Sequence, residues 1–311
     1  MKLIILGNGF DLNHNYKTSF NDFRAYLIKS KIEENEILVN HIDQLIPQSD
    51  NKDEIQWNNF EKIIGHRLNP SIKFKNMKGL DIVSLIEQFT EKFHAYILNL
   101  LNTNNFKINQ NLTKEFNDVS SILTFNYTPF YSHYLEDFND KNIFHIHGEM
   151  KKNNLPIIGY YYDKIAIDHR SLDYSIKYGD RLIHKPALAL KQNEINLDSA
   201  IKRYILKWKE KISEIVVMGY SFGESDSHIF NILNTIMITQ TKELNVPLSK
   251  AKELNIVKFK IYSYNDDDSK RIIEKIKYEF SKLNRRFTIN ITGVGFSSQK
   301  KDLILFELIK Y

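Results

Sequence analysis

The sequence predicts an α/β fold: a mostly parallel sheet with helices on both faces and a large helical insertion or cap. Three observations carry this. After residue 118, short apolar runs alternate with amphipathic helical segments, the pattern of strands joined by crossover helices. Roughly one hundred residues of helical pattern separate the first apolar run from the next, far more than the dozen or so a simple crossover needs. Glycines, histidines and small polar residues sit directly behind the apolar runs, where loops follow strands. With 311 residues, no internal repeat and no Gly/Ser/Pro linker, a single domain over 1–311 is expected, with the helical insertion at 17–118.

Taken in order, residues 2–6 (KLIIL) are a buried strand, continuous, apolar and ended by Gly7. Residues 17–46 are mainly helical, with Phe20, Phe23, Leu27 and Ile28 at helical spacing and Thr18 or Ser19 as the cap. The polar stretch 48–54 breaks the pattern. A second amphipathic helix follows in IQWNNFEKIIGHRL, where Trp57, Phe60, Ile63 and Ile64 share a face, and a third at 80–102. Further strands are expected at 120–125 (SSILTF), 142–147 (NIFHIH), 214–219 (EIVVMG) and 257–264 (VKFKIYSY), with a short candidate at 155–160 (LPIIGY). Helices are expected at 200–212, 227–238 and 270–283.

Composition narrows the chemistry. The net charge of +5 permits an anionic ligand such as a nucleotide, without the dense Lys/Arg stripe of a nucleic-acid binder. No cysteine is present, which removes disulfides, thiolate-ligated metals and thiol nucleophiles and fits a reducing cytoplasm. The first residues make a poor signal peptide, and no stretch approaches the ~20 apolar residues of a membrane span.

The chemistry candidates share one location, immediately after a strand. They are Gly7-Asn8-Gly9-Phe10-Asp11, Asn126-Tyr127-Thr128, His145-Ile146-His147-Gly148, Gly219-Tyr220-Ser221 with Asp226 behind it, and Asn265-Asp266. Ligands bind outside the carboxyl ends of parallel strands, so these five segments are expected to converge on one cleft. Gly7 and Gly9 let the chain turn sharply and approach a ligand closely. Each signal also has a plainer reading. G-x-G lacks the third glycine of the dinucleotide fingerprint. Asp11 and Asp226 suit helix N-caps, and Asn126 suits a turn. His145 is expected to be structural and His147, beside Gly148 at a strand end, functional. Asp266, Asp267 and Asp268 fit a helix start better than a metal site. GYSFG matches the G-x-S-x-G nucleophile elbow in letters, but the only later histidine is His228, too close to complete a triad.

The segments LIILGNGFDLNHNYKTSFNDF, WNNFE, SILTFNYT, FHIHGE and VVMGYSFGESD resemble the phage abortive-infection protein AbiH family, in that family's order across residues 3–226. That family in turn resembles sirtuin-like, Rossmann-like NAD-binding domains of bacterial defence proteins. The resemblance implies that Gly7 and Gly9 hold the cofactor phosphates, that Asn126 and His147 are catalytic, and that Gly219 and Ser221 contact the dinucleotide. The chain departs from the sirtuin-like pattern at Thr128, where an acid is usual, and at Asn8 and Asp11 in the first turn. Asp11 and His14 look like AbiH features in their own right. Phe10, Tyr127, Tyr220 and Asp226 complete the expected ligand contacts.

The leading expectation is an antiviral enzyme that hydrolyses the nicotinamide–ribose bond of NAD, its substrate, with no metal required. Nicotinamide leaves as a neutral base, so the work is to stabilise an oxocarbenium-like ribose and deliver water. Asn126 would orient ribose or water, His147 would take a proton, and Asp11 would face the developing positive charge. One rival is a metal-dependent nuclease or phosphodiesterase, with Asp11, His14, His147 and Asp226 around a divalent ion. Another is a non-catalytic nucleotide sensor. The helices at 17–102 are apolar enough to bury one face on the sheet and another on a second copy, so self-association through the cap is expected. A toxic NADase needs restraint, which implies a phage-derived or toxin-control partner.

Overall fold

The computed structural model describes residues 2–46, 57–67, 82–103, 106–135, 143–148, 156, 212, 214–223, 229–230, 233, 257–263, 266–282, 287–290, 294–295 and 305–310. Five parallel strands form the heart of the sheet: β1 (Lys2–Leu6), β2 (Val119–Thr124), β3 (Ile143–His145), β4 (Glu214–Met218) and β5 (Val257–Ser263). Their order in space is β3-β2-β1-β4-β5, that of a Rossmann-like sheet, which reverses direction between β1 and β4. Beyond β5 lie β6 (Phe287–Asn290), β7 (Val294–Gly295) and β8 (Leu305–Lys310). β8 runs antiparallel to β5 and to β6, and β7 pairs with β5 in parallel.

Register sets where the strands stop. Leu6 is level with Thr124 and Met218, Thr124 with His145, and Met218 with Tyr262. The carboxyl ends therefore form one straight rim. The ladder runs one residue past it: Phe125 N–H donates to Leu6 O at 2.8 Å, Ile146 to Thr124 O at 2.9 Å and Gly7 to Met218 O at 3.0 Å.

Alternation along each strand divides the core in two. Leu3, Ile5, Leu123, Val217 and Ile261 belong to one apolar cluster, shared with Phe222, Phe230 and Ile272. Ile4, Leu6, Ile122, Val216 and Met218 belong to another, shared with Phe10, Phe116, Phe130 and Tyr134. Strands buried on both faces need no polar alternation, and that is why their sequences read as unbroken apolar runs.

Between β1 and β2 the chain forms α1 (Asn8–Asn13), α2 (Phe20–Lys29), α3 (Glu33–Leu45), α4 (Trp57–Arg67), α5 (Ile82–Leu101) and α6 (Gln110–Phe116). Ser19 caps α2 reciprocally: its hydroxyl accepts from Asp22 N–H, and Asp22 accepts from Ser19 N–H. The expected helical stretch 17–46 is two helices. Lys31, at φ 53°, reverses the chain between them. A left-handed helix terminus usually advertises itself as Gly or Asn, and a lysine there gives no warning. Arg24 reaches back across the break to Asp43 with two hydrogen bonds, at 3.0 and 2.8 Å.

Helices α2 to α5 enclose an apolar cluster of their own, built on Phe20, Phe23, Phe60, Phe89 and Phe93. Two hydrogen bonds hold the cap to the segment that leads into it from α1, and one ring contact holds it to the rim. Trp57 Nε1 donates to Thr18 O at 2.7 Å, Tyr96 OH donates to Lys17 O at 2.5 Å, and Tyr127 packs on Phe93 with ring centroids 4.9 Å apart.

After β2 comes a 3-10 turn, Phe130–Tyr134, and after β5 comes α7 (Asp266–Lys282). α7 begins at Asp266, four residues ahead of its expected start, and Asp267 and Asp268 bring carboxylates into its first turn, where acidic groups meet the positive helix end. The expected elements at 155–160, 200–212 and 227–238 lie outside the described residues, apart from single positions. No described helix is long and apolar enough to cross a membrane.

Candidate functional site

A cleft of about 670 Å³ opens between the rim and the cap, within the range of pockets that take small organic ligands. All five parallel strands contribute to it. The lining includes Asn8 and Gly9 after β1, Phe125 and Tyr127 after β2, His147 after β3, Gly219, Tyr220 and Ser221 after β4, and Tyr262 and Ser263 closing β5. The cap adds Trp57 and Glu61 from α4, and α7 adds Asp268 and Arg271.

The floor is fixed by a backbone crossing of the loops after β1 and β4. Gly9 N–H donates to Gly219 O at 2.8 Å. A Cβ on Gly9 would lie 2.8 Å from Gly219 Cα, and one on Gly7 would lie 2.5 Å from Tyr220 Cα. Gly219 is tighter still. It sits at φ +60°, and a Cβ there would meet Phe10 N at 2.0 Å. The glycines admit another stretch of backbone, which accounts for them before any ligand is considered.

Behind the cleft wall lies a buried polar cluster. Asp11, in α1, is 1% exposed, and Asn126 is 3% exposed. Asn126 Nδ2 donates to Asp11 Oδ1 at 2.8 Å, and Thr128 Oγ1 donates to Asp11 Oδ2 at 2.6 Å. Burial pushes the Asp11 carboxyl up to about 7, against the lowering effect of these two hydrogen bonds. Asn126 Oδ1 is buried with no hydrogen-bond partner.

His147 is 6% exposed and is held between aromatic rings, with Tyr127 at 5.4 Å and Phe125 at 5.9 Å. Phe125 in turn stacks on Tyr220 at 4.2 Å. Segments from β2, β3 and β4 thus pack into one wall with the imidazole on it.

These rim segments, GNGFD, FNYT, FHIHG and GYSFG, all fall within residues 3–246, the stretch that the family model for bacteriophage abortive infection AbiH matches. The chain is a member of the AbiH family. Membership gives it a role in phage abortive infection, an antiviral defence. No curated protein matches the chain.

Among the residues expected at the AbiH site, Asn8, Gly9, Tyr127, His147, Gly219, Tyr220 and Ser221 line the cleft. Asp11 and Asn126 do not. They pair with each other behind it, so the N-cap alternative for Asp11 fails: Gly7 occupies that position, without a side-chain cap. Gly7 lies beneath the crossing. Phe10 and His14 belong to the apolar interior. His14 Nδ1 donates to Phe10 O at 2.6 Å, Nε2 accepts from the Tyr134 hydroxyl, and the ring packs on Phe130 at 4.6 Å. A carbonyl only accepts, so the tautomer is set and both nitrogens are spent. Burial and His133 hold His14 below its ordinary value, against the raising effect of the Phe10 carbonyl. Asp226 lies outside the described residues.

β3 ends at His145, so His147 lies in the loop beyond it rather than on the strand as expected. His145 Nε2 meets the Tyr131 hydroxyl at 2.8 Å, and neither residue is part of the cleft lining. In GYSFG the left-handed residues are Gly219, at φ 60°, and Phe222, at φ 53°, whereas a nucleophile elbow strains its serine.

Sequence reasoning missed Glu61. It is 4% exposed, one turn along α4 from Trp57, and lines the cleft. Its place in WNNFE was the available signal. Among the described residues, no three His, Asp or Glu side chains are grouped to hold a metal ion. The imagined Asp11–His14 pair is split, one facing Asn126 and Thr128, the other Tyr134.

Proposed function

We propose that this AbiH protein binds NAD in the cleft between rim and cap and hydrolyses its nicotinamide–ribose bond. The observation that carries the reading is the convergence of the four loops after β1, β2, β3 and β4 on one cavity, with His147 on its aromatic wall and Asn126 immediately behind. The cleft lies where the strand order reverses, the usual site for dinucleotides on such sheets.

Flat aromatic walls suit the adenine and nicotinamide rings. Because Gly9 spends its N–H on Gly219, contact with the diphosphate falls to the Asn8 and Ser221 side chains. Arg271 is the one Arg or Lys among the described lining residues. In the reaction the C1–N bond breaks and its electron pair stays on nicotinamide. Water attacks C1 of the ribose, and His147 takes the proton that water loses. Glu61 is the carboxylate on the cap wall and faces the positive charge that develops on the sugar.

The test is the full-length protein incubated with NAD, following nicotinamide and ADP-ribose. Loss of the imidazole in His147→Ala should lower turnover about 10²–10⁴-fold. Binding without product would replace the enzyme with a sensor. Turnover of a phosphodiester that stops on adding a chelator would replace it with a metal-dependent phosphodiesterase.

A further inference from the structure

We infer that Asp11 is a positioning residue: by accepting from both Asn126 Nδ2 and Thr128 Oγ1 it fixes the Asn126 amide, leaving Oδ1 as the acceptor for a hydroxyl donor. An ionised carboxylate only accepts, so Asn126 must turn its NH₂ group toward Asp11. Thr128 fills the second oxygen. The amide oxygen is then buried with no partner, an arrangement that costs stability unless something completes it. Asn126 itself lies behind the cleft, but Phe125 and Tyr127 on either side of it line the cleft, and on that ground we place the hydroxyl on a ligand there or on water the ligand traps. Identifying that hydroxyl as one on ribose rests on the NAD reading above; the positioning itself does not.

Protonation undoes the device. A neutral carboxyl can donate as well as accept, so it satisfies the amide in either orientation and the preference disappears. Burial brings that change close to neutrality. The groups around Asp11 leave the assignment clear. Tyr16 is coupled to it and is itself raised, so it stays neutral, and the His14 ring faces Tyr134. His147, on the neighbouring rim segment, is the group to control for.

The experiment uses full-length protein with ¹⁵N-labelled asparagine. The Asn126 side-chain resonance is assigned by its loss in Asn126→Ala. That resonance should titrate near pH 7, both in wild type and in His147→Gln. It should become indifferent to pH in Asp11→Asn. In Thr128→Val its midpoint should rise, because the hydrogen bond that favours the ionised form is gone. In parallel, nicotinamide release should fall at least tenfold in kcat below the same midpoint, with KM changed less than about threefold. A resonance flat from pH 5 to 9, or a midpoint unmoved by both Asp11→Asn and Thr128→Val, overturns the inference even if NAD is cleaved. A titrating resonance without NAD cleavage upholds the positioning and sinks the NADase reading instead.

Discussion

Replacing Asp11 by Asn should make the protein more stable at pH 8 and leave it nearly unchanged at pH 4. The ordinary value for this carboxyl is 3.8, and burial raises it to about 7 in the folded chain. A group raised on folding prefers its protonated form there. Its favourable contribution is complete below about pH 4, shrinks as pH climbs, and is gone above about pH 7. Three pK units at 1.36 kcal/mol each amount to about 4 kcal/mol lost across that window. Asparagine keeps the shape and a hydrogen bond to Asn126 without carrying the charge. Urea unfolding of both proteins at pH 4, 5, 6, 7 and 8 reads the difference directly, because every other titrating group cancels between them. The gap should open from near zero to several kcal/mol. A gap that is constant with pH, or a variant less stable than wild type at pH 8, would refute the reasoning. A stabilising change at a buried acid is the pattern expected where a residue is kept for function.

Three further outcomes follow from the same contacts. Gly219→Ala places a Cβ 2.0 Å from Phe10 N at a left-handed position, and should destabilise by more than about 4 kcal/mol or abolish folding, seen by circular dichroism. Tyr262→Phe removes the 2.6 Å hydrogen bond to Glu115. Burial alone would raise Glu115, but Tyr262, Lys260 and Lys2 together hold it below its ordinary value. The variant should lose about 1–3 kcal/mol at pH 7 and unfold at higher pH on acid titration, since the stability from a lowered carboxyl vanishes as pH falls through its folded value. Glu61→Gln should reduce NAD turnover by tenfold or more while urea unfolding stays within about 1 kcal/mol of wild type. A loss below twofold would remove Glu61 from the site.

The five parallel strands were legible because strands buried on both faces are plain apolar runs, and their ends fell within one residue of those expected, except that β3 stops at His145, two residues early. The rim could be located from the same runs, since parallel strands bring their carboxyl ends together. Which side chains face the cleft was not legible. Asp11 lies in a short helix and His14, three residues on, caps its end, yet the histidine points into an aromatic core and the aspartate into the Asn126–Thr128 pair. That pairing joins positions more than one hundred residues apart, and nothing local encodes it. The glycines after β1 were expected to let the chain approach a ligand, but what approaches them is the Gly219–Tyr220 backbone of another loop. Glu61 escaped because a carboxylate beside an apolar helical face looks like an ordinary solvated residue until the fold closes a cleft over it.

The most direct test of the cleft assignment is a crystal structure of the His147→Ala protein soaked with NAD. The dinucleotide should lie between rim and cap, its diphosphate over the Gly9–Gly219 crossing and its nicotinamide ribose in the space left by the imidazole, beside Tyr127. NAD bound on another face of the molecule, or a cleft still empty at millimolar NAD, would contradict it.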